Sequence, residues 1–162
     1  MSPGLGRLLE KRRLVRSRLG EDAIEKELKG ATYDLKRARV SLAESDYKWA
    51  TIEAYYSMFH AARALLYVAG YRERSHAALL VALGELYVKA GRLAQSELDN
   101  FDNAMNLRQE ADYSLSFSEE SARRVADDAE TFIGAATALT RVEQKRRAEG
   151  ERVGTNGRGH LR

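Results

Sequence analysis

The scarcity of proline is the feature that most restricts what this chain can fold into. Pro3 is the only proline among 162 residues, so no proline interrupts the chain after its third residue. Long stretches repeat apolar residues every three or four positions, which is the spacing of one face of a helix. We find no stretch with the sustained alternation of a half-buried strand. The sequence therefore predicts an all-α protein.

The apolar spacing predicts five helices, separated by breaks at Ser45-Asp46, Gly70 and Gly91. Ser75 is predicted to cap the third helix, after a polar loop at residues 71–74. The predicted ranges are about 21–45, 46–70, 75–91, 94–111 and a last helix from about 118. Because the connections are short, neighbouring helices should be antiparallel. We expect an antiparallel up-and-down helical bundle of four long helices plus a short helix.

Basic residues concentrate at the two ends of the chain. Residues 1–19 carry six Lys or Arg against one Glu, and residues 141–162 carry seven against three Glu, although the net charge of the whole chain is only +3. We expect a basic N-terminal arm at 1–20, the bundle at 21–147, and a disordered, glycine-rich basic tail at 148–162. Each basic end either contacts the phosphates of a nucleic acid or serves only to keep the protein soluble.

The composition excludes several kinds of site. Without cysteine there is no disulfide, thiolate nucleophile or cysteine-ligated metal. No apolar run is long enough to span a bilayer, and residues 1–20 lack the apolar segment of a secretory signal, so we expect a cytoplasmic protein without a membrane partner. The three histidines have no metal-ligand spacing and no glycine-rich phosphate loop is present, so we expect no metal and no cofactor.

Arg108 is the first candidate functional residue. It follows Leu98, Phe101 and Met105 at helical spacing, which places a charged group on their inward-facing stripe. Two interpretations remain open. Arg108 forms a buried ion pair with Asp112 that stabilises the helix, or its guanidinium group is held ready to bind a phosphate.

The second predicted helix carries an aromatic stretch followed by small residues. Tyr56, His60 and Arg63 share one arc of this helix, and such a mixture is typical both of helix packing and of a protein interface. His60 is either a general base or a structural histidine with satisfied hydrogen bonds. His76, at the start of the third helix, is expected to cap that helix or to lie at the surface.

Several segments together resemble the HEPN superfamily, and more narrowly the small stand-alone HEPN proteins that are often encoded beside a minimal nucleotidyltransferase. These segments are residues 54–66, 75–76, 84–89, 91–93 and 107–113. The resemblance covers about residues 23–139. It implies an antiparallel helical bundle that forms a homodimer. Many members are metal-independent endoribonucleases that use an arginine and, after a spacer of four to six residues, a histidine at the dimer cleft.

In this resemblance the family's arginine corresponds to Arg108. Its histidine would fall at residues 113–115, where the sequence has Tyr-Ser-Leu. The catalytic pair implied is therefore Arg108 with Tyr113, or with His60, as the proton carrier. The residues expected to line a ligand-binding or dimer cleft are Arg108, Gln109, Asp112, Tyr56, His60 and Arg63.

Three functions remain open at this point. The first is a dimeric module that binds RNA or a nucleotide and has a minimal nucleotidyltransferase as its partner in a toxin–antitoxin-type system. The second is a metal-independent endoribonuclease toxin, in which Arg108 stabilises the charge at phosphorus. The third is a purely structural dimer in which Arg108 and Asp112 only hold the fold together.

Overall fold

The computed structural model describes residues 1–111, 113 and 117–156. The helices in this part are α1 (Pro3–Glu10), α2 (Glu21–Ala43), α3 (Tyr47–Val68), α4 (His76–Leu83), α5 (Gln95–Ala111) and α6 (Glu119–Asn156). Two short strands are also present, β1 (Leu14–Arg16) and β2 (Tyr71–Glu73), and a π-helical turn at Gly84–Val88 directly follows α4. The prediction of an all-α helical bundle is confirmed. No helix of the described part is both long enough and apolar enough to cross a membrane.

Helix α3 lies at the centre of the bundle, where it packs against α2, α5 and α6. Most of its side chains are buried, as expected for a helix that is apolar over a wide arc. The side chain of Asp46 accepts a hydrogen bond from the backbone N–H of Trp49 at 3.2 Å and caps the helix. Ser75 caps α4 in the same way, through the N–H of Ala78 at 3.1 Å. Both helix starts are as predicted.

The N-terminal segment differs from the predicted arm, because it is part of the fold. Leu5 in α1 and Leu14 in β1 are only 3% and 1% exposed and belong to the main core. Strand β1 pairs antiparallel with β2, which places Arg16 opposite Tyr71. The prediction that the chain has no strands is therefore wrong, and the predicted loop contains β2. Three-residue strands are too short for their alternation to be visible in the sequence.

Residues 148–156 of the tail that we expected to be disordered belong to α6, and residues 157–162 of this tail lie outside the described residues. Three polar contacts attach residues 144–151 of α6 to the start of α2 and to the segment before it. Arg147 Nη2 donates to the carbonyl of Leu19 at 3.0 Å, Gln144 donates to Glu21 at 2.5 Å, and Arg18 pairs with Glu151. Such long-range polar contacts leave no apolar pattern in the sequence. They bring the two basic ends of the chain together.

Candidate functional site around Arg108 and His76

Arg108 lies half-buried on the last part of α5, facing α3. Its Nη2 donates a hydrogen bond to the hydroxyl oxygen of Tyr56 at 3.1 Å. The guanidinium carbon lies 5.6 Å from the centre of the Tyr56 ring, within the range of a cation–π contact. Leu98, Phe101 and Met105 are buried along the same stripe, as predicted. Tyr56 therefore fixes the position of a cation whose stem is packed against the core.

The structure brings His76 to the same region. Its Nδ1 lies 2.6 Å from the hydroxyl oxygen of Tyr55, which is fully buried beside Tyr56 on α3. The imidazole ring also packs against Phe59, with 4.4 Å between ring centres. We expected a surface or capping role for this histidine, but the cap of α4 is Ser75. The imidazole is instead held between two aromatic residues of α3.

The environment of His76 keeps the imidazole neutral. Burial lowers the pKa of His76 below its usual value, and the positive charges of Arg108 and Arg63 lower it further, while Glu73 acts in the opposite direction. Burial also raises the pKa of the Tyr55 hydroxyl, so this group stays protonated at neutral pH. Because a neutral imidazole has a lone pair on one ring nitrogen, His76 can act as a proton acceptor at neutral pH.

The tautomer of His76 depends on its bond with Tyr55. If Nδ1–H donates to the tyrosine oxygen, Nε2 carries a lone pair and can take up a proton. If the tyrosine hydroxyl donates to Nδ1, Nε2 carries the proton and donates a hydrogen bond but cannot take up a proton. In both cases Tyr55 orients the ring, which is the role of the third residue in acid–base constellations.

His60 and Arg63 take part in a separate ion-pair network. His60 Nδ1 lies 2.6 Å from Glu27 Oε2 and its Nε2 lies 3.4 Å from Asp34 Oδ2. Arg63 lies 3.2 Å from Glu27 through Nη1 and 2.8 Å from Glu73 through Nε. This network connects α2, α3 and β2. Because both ring nitrogens of His60 face carboxylates, the geometry favours the structural interpretation of this histidine over the general base.

The predicted cleft residue Gln109 lies on the solvent side of α5, and Tyr113, predicted as a proton carrier, follows the end of this helix. Gln109 is exposed, and 91% of Tyr113 is accessible to solvent. Together with Asn106 and Glu110 they line an open depression of about 790 Å³. Asp112 lies outside the described residues, so the proposed Arg108–Asp112 pair remains a prediction. Within residues 1–111, 113 and 117–156 no group of three or more histidine and carboxylate side chains has the geometry of a metal site.

Sequence reasoning therefore placed Arg108 and Tyr56 together in one cleft, and the structure has them in contact. It missed Tyr55 and His76, which lie 21 residues apart on two different helices. No helical spacing connects two such positions. The only available signal was the pair of adjacent tyrosines, since a fully buried tyrosine hydroxyl requires a hydrogen-bond partner.

Comparison with known proteins gives consistent matches. Residues 24–142 match the family model described as the HEPN domain. A protein of Methanocaldococcus jannaschii named as a candidate toxin is 30% identical over 104 residues, which cover 64% of this chain and 78% of that protein. A protein of Archaeoglobus fulgidus named as a UPF0332 protein is 28% identical over 114 residues, which cover 69% of this chain and 90% of that protein.

Proposed function

Because the chain belongs to the HEPN domain family, we propose that it is the toxin-type member of a toxin–antitoxin system and binds the phosphates of RNA through Arg108. The observation that carries this proposal is the half-buried guanidinium group of Arg108, which the hydroxyl and ring of Tyr56 hold in place. A guanidinium group in a fixed plane is well suited to a phosphate, because its N–H donors match two phosphate oxygens at once.

The neutral state of His76 adds to this argument. A neutral imidazole does not repel the guanidinium group of Arg108, so this group keeps its place beside Tyr56, where a phosphate can contact it. Partial burial weakens the screening of this charge by water and salt. An arginine of this kind should therefore contribute more to phosphate binding than an exposed arginine of the same surface.

The proposal includes two kinds of protein partner. The first is a second copy of the chain, and the second is a minimal nucleotidyltransferase that acts as the antitoxin. The name of the related protein from Methanocaldococcus jannaschii supports a toxin-type role. The exposed surface formed by Gln109 and Tyr113 next to Arg108 is available for either partner.

RNA binding by two substituted proteins tests the proposed role of Arg108. We expect Arg108→Gln to weaken binding of a single-stranded oligoribonucleotide at least tenfold, since one charge-assisted contact is worth about 1.5–3 kcal/mol. The matched control is Arg123→Gln, which removes a 56% exposed arginine near the start of α6. Equal affinities of the two variants would contradict the proposal. Loss of the helical circular dichroism spectrum in Arg108→Gln would instead favour the purely structural role.

A second candidate function is RNA cleavage, and the hydrogen bond between Tyr55 and His76 is the observation that favours it. In this reaction Nε2 of His76 takes the proton from a ribose 2′-hydroxyl, whose oxygen attacks the neighbouring phosphorus. The bond from phosphorus to the 5′-oxygen breaks, and this oxygen takes up a proton from water. Arg108 stabilises the charge on the phosphoryl oxygens. The products are a 2′,3′-cyclic phosphate and a 5′-hydroxyl.

Cleavage of labelled RNA in the presence of EDTA tests this second function. We expect His76→Gln to abolish cleavage but to retain RNA binding, because the substitution removes the proton acceptor and leaves Arg108 in place. Tyr55→Phe should slow cleavage and change its pH profile, since the ring loses its orienting partner. Tyr113→Phe is the decisive comparison. If Tyr113→Phe abolishes cleavage and His76→Gln does not, Tyr113 is the proton carrier and His76 is not.

A further inference from the structure

A second cleft lies far from Arg108, at the end of α3. It has a volume of about 640 Å³ and is formed where β1, the segment that follows α3, and the last part of α6 meet. Ala69 in this cleft is 13 residues beyond Tyr56, about 20 Å along the helix at 1.5 Å per residue. The charged side chains that line it are Arg16, Arg18, Arg147 and Glu151.

These four side chains come from the two basic ends of the chain. Arg16 and Arg18 belong to the first end, and Arg147 and Glu151 to the last. The ion pair of Arg18 with Glu151 and the hydrogen bond from Arg147 to Leu19 hold the ends side by side. The folded chain therefore combines two separate basic segments into one surface.

The charges of the cleft are unbalanced. Three guanidinium groups and one carboxylate line the cleft. The carboxylate, Glu151, pairs with Arg18 and lies 3.9 Å from Nε of Arg147. Arg16 contacts the Tyr71 ring at 5.8 Å and the Met1 sulfur at 3.8 Å. In the part of the chain that the structure describes, no carboxylate lies within ion-pair distance of Arg16. The excess of positive charge therefore attracts anions.

Arg147 shows an incomplete set of partners. Its side chain is 20% exposed and its Nη2 donates to Leu19. Its Nη1 is shielded from solvent and has no hydrogen-bond partner among the described residues. A shielded N–H group without a partner is costly, most of all on a cation. Negative charge in the neighbouring cleft would offset part of this cost.

Tyr71 adds an aromatic surface to this basic cleft. Its ring is half-buried and lies opposite Arg16 in the strand pair. The neighbouring Gly70 has a φ of +90° and open space where a Cβ atom would stand, so no side chain covers this wall. Arginines along a groove with an aromatic ring beside them are the combination that binds single-stranded nucleic acid, in which phosphates contact the cations and a base stacks on the ring.

We propose that this cleft is a second binding site, which takes a segment of single-stranded RNA. Arg16, Arg18 and Arg147 contact its phosphates, and one base stacks on Tyr71. A single strand fits better than a duplex, because the bases of a duplex are stacked within the helix and cannot reach Tyr71. The cleft does not include Arg108, so RNA binding here is independent of what Arg108 does.

The salt dependence of RNA binding tests the role of the arginines. Each phosphate contact contributes about 0.7 to the slope of log Kd against log salt for a single strand. We expect the double variant Arg16→Gln/Arg18→Gln to lower this slope for an oligouridylate by about 1.4. The matched control Lys36→Gln/Arg123→Gln removes two exposed cations outside the cleft and should leave the slope unchanged. Equal slopes for the two double variants would overturn the proposal.

Inorganic polyphosphate of matched charge tests the role of Tyr71. We expect the protein to prefer oligouridylate over polyphosphate by about fivefold or more, which corresponds to the stacking of one base on an aromatic ring. Tyr71→Leu keeps an apolar side chain at this position and should remove the preference. Equal binding of the two polyanions by the unsubstituted protein would show that the cleft does not recognise RNA. The salt dependence and the comparison with polyphosphate are also measured for Arg108→Gln. Loss of RNA binding at Arg108 and loss of RNA binding in the cleft are then observed separately.

Discussion

The Nδ1 atom of His76 lies 2.6 Å from the hydroxyl oxygen of Tyr55, across the contact between α4 and α3. The Ser75 cap fixes the start of α4 one residue before this histidine. Tyr55 is fully buried and stacks on Phe101, at 6.0 Å between ring centres and 14° between ring planes. The imidazole of His76 is therefore oriented by the core of the bundle and not by a loop.

The first prediction concerns the pKa of His76. Removal of the positive charge in Arg108→Gln should raise this pKa, because Arg108 disfavours the protonated imidazole. Glu73→Gln should lower it, because the carboxylate favours the protonated form. NMR titration of the histidine ring resonances measures both effects. Arg123→Gln serves as the control. If the pKa of His76 is the same in all three variants, the charges of Arg108 and Glu73 do not affect the ring.

The second prediction concerns stability against pH. The pKa of His76 is lower in the folded state than the value of about 6.5 in the unfolded chain, so below pH 6.5 the unfolded state binds more protons. Protonation therefore reduces the free energy of unfolding as the pH falls below 6.5. We expect the loss of stability between pH 7.5 and 5 to be smaller in His76→Gln. Urea unfolding at the two pH values measures it, and an undiminished loss in the variant would contradict the prediction.

The third prediction concerns Gly30, which lies against His60. A Cβ atom at Gly30 would stand 3.1 Å from the imidazole ring, and that ring is held on both sides by Glu27 and Asp34. Because the ring cannot move away, we expect Gly30→Ala to destabilise the protein by about 1–2 kcal/mol. Gly134→Ala is the matched control, since nothing lies within 4 Å of its added methyl group.

In this control the replacement of a helical glycine should stabilise the protein by about 0.5–1 kcal/mol. Urea unfolding of both variants decides between the two effects. Equal stabilisation in Gly30→Ala and Gly134→Ala would mean that the imidazole of His60 is not fixed by its carboxylates.

The fourth prediction concerns the N-terminal segment. Leu5 is 3% exposed and packs in the main core, so Leu5→Ala should lower the free energy of unfolding by about 2 kcal/mol or more. Val153→Ala, at a residue that is 75% exposed, should change it by less than about 0.5 kcal/mol. Thermal or urea unfolding provides the comparison. Similar small effects in both variants would mean that α1 is not a stable part of the core.

The long helices could be predicted from the sequence because each shows an apolar stripe of its own. The apolar stripe and the cap at Asp46 define α3 without reference to any other element. The short strands could not be predicted, because Leu14 and Glu73 pair across 59 positions and neither strand shows a pattern alone. The candidate site divides in the same way. Arg108 stands out locally as a charge on an apolar stripe, whereas His76 acquires its role only through the packing of α4 on α3.

The contacts between the ends of the chain have a consequence for biosynthesis. Leu19 accepts its hydrogen bond from Arg147, which the ribosome adds 128 residues later. At the usual rates of translation this interval lasts about 6–26 s. During that time Leu19 lacks this bond and Arg18 lacks its ion pair with Glu151, so the two basic segments cannot yet lie side by side. The cleft between the two basic segments is therefore among the last features of this fold to form during synthesis, after the helices at its centre have been made.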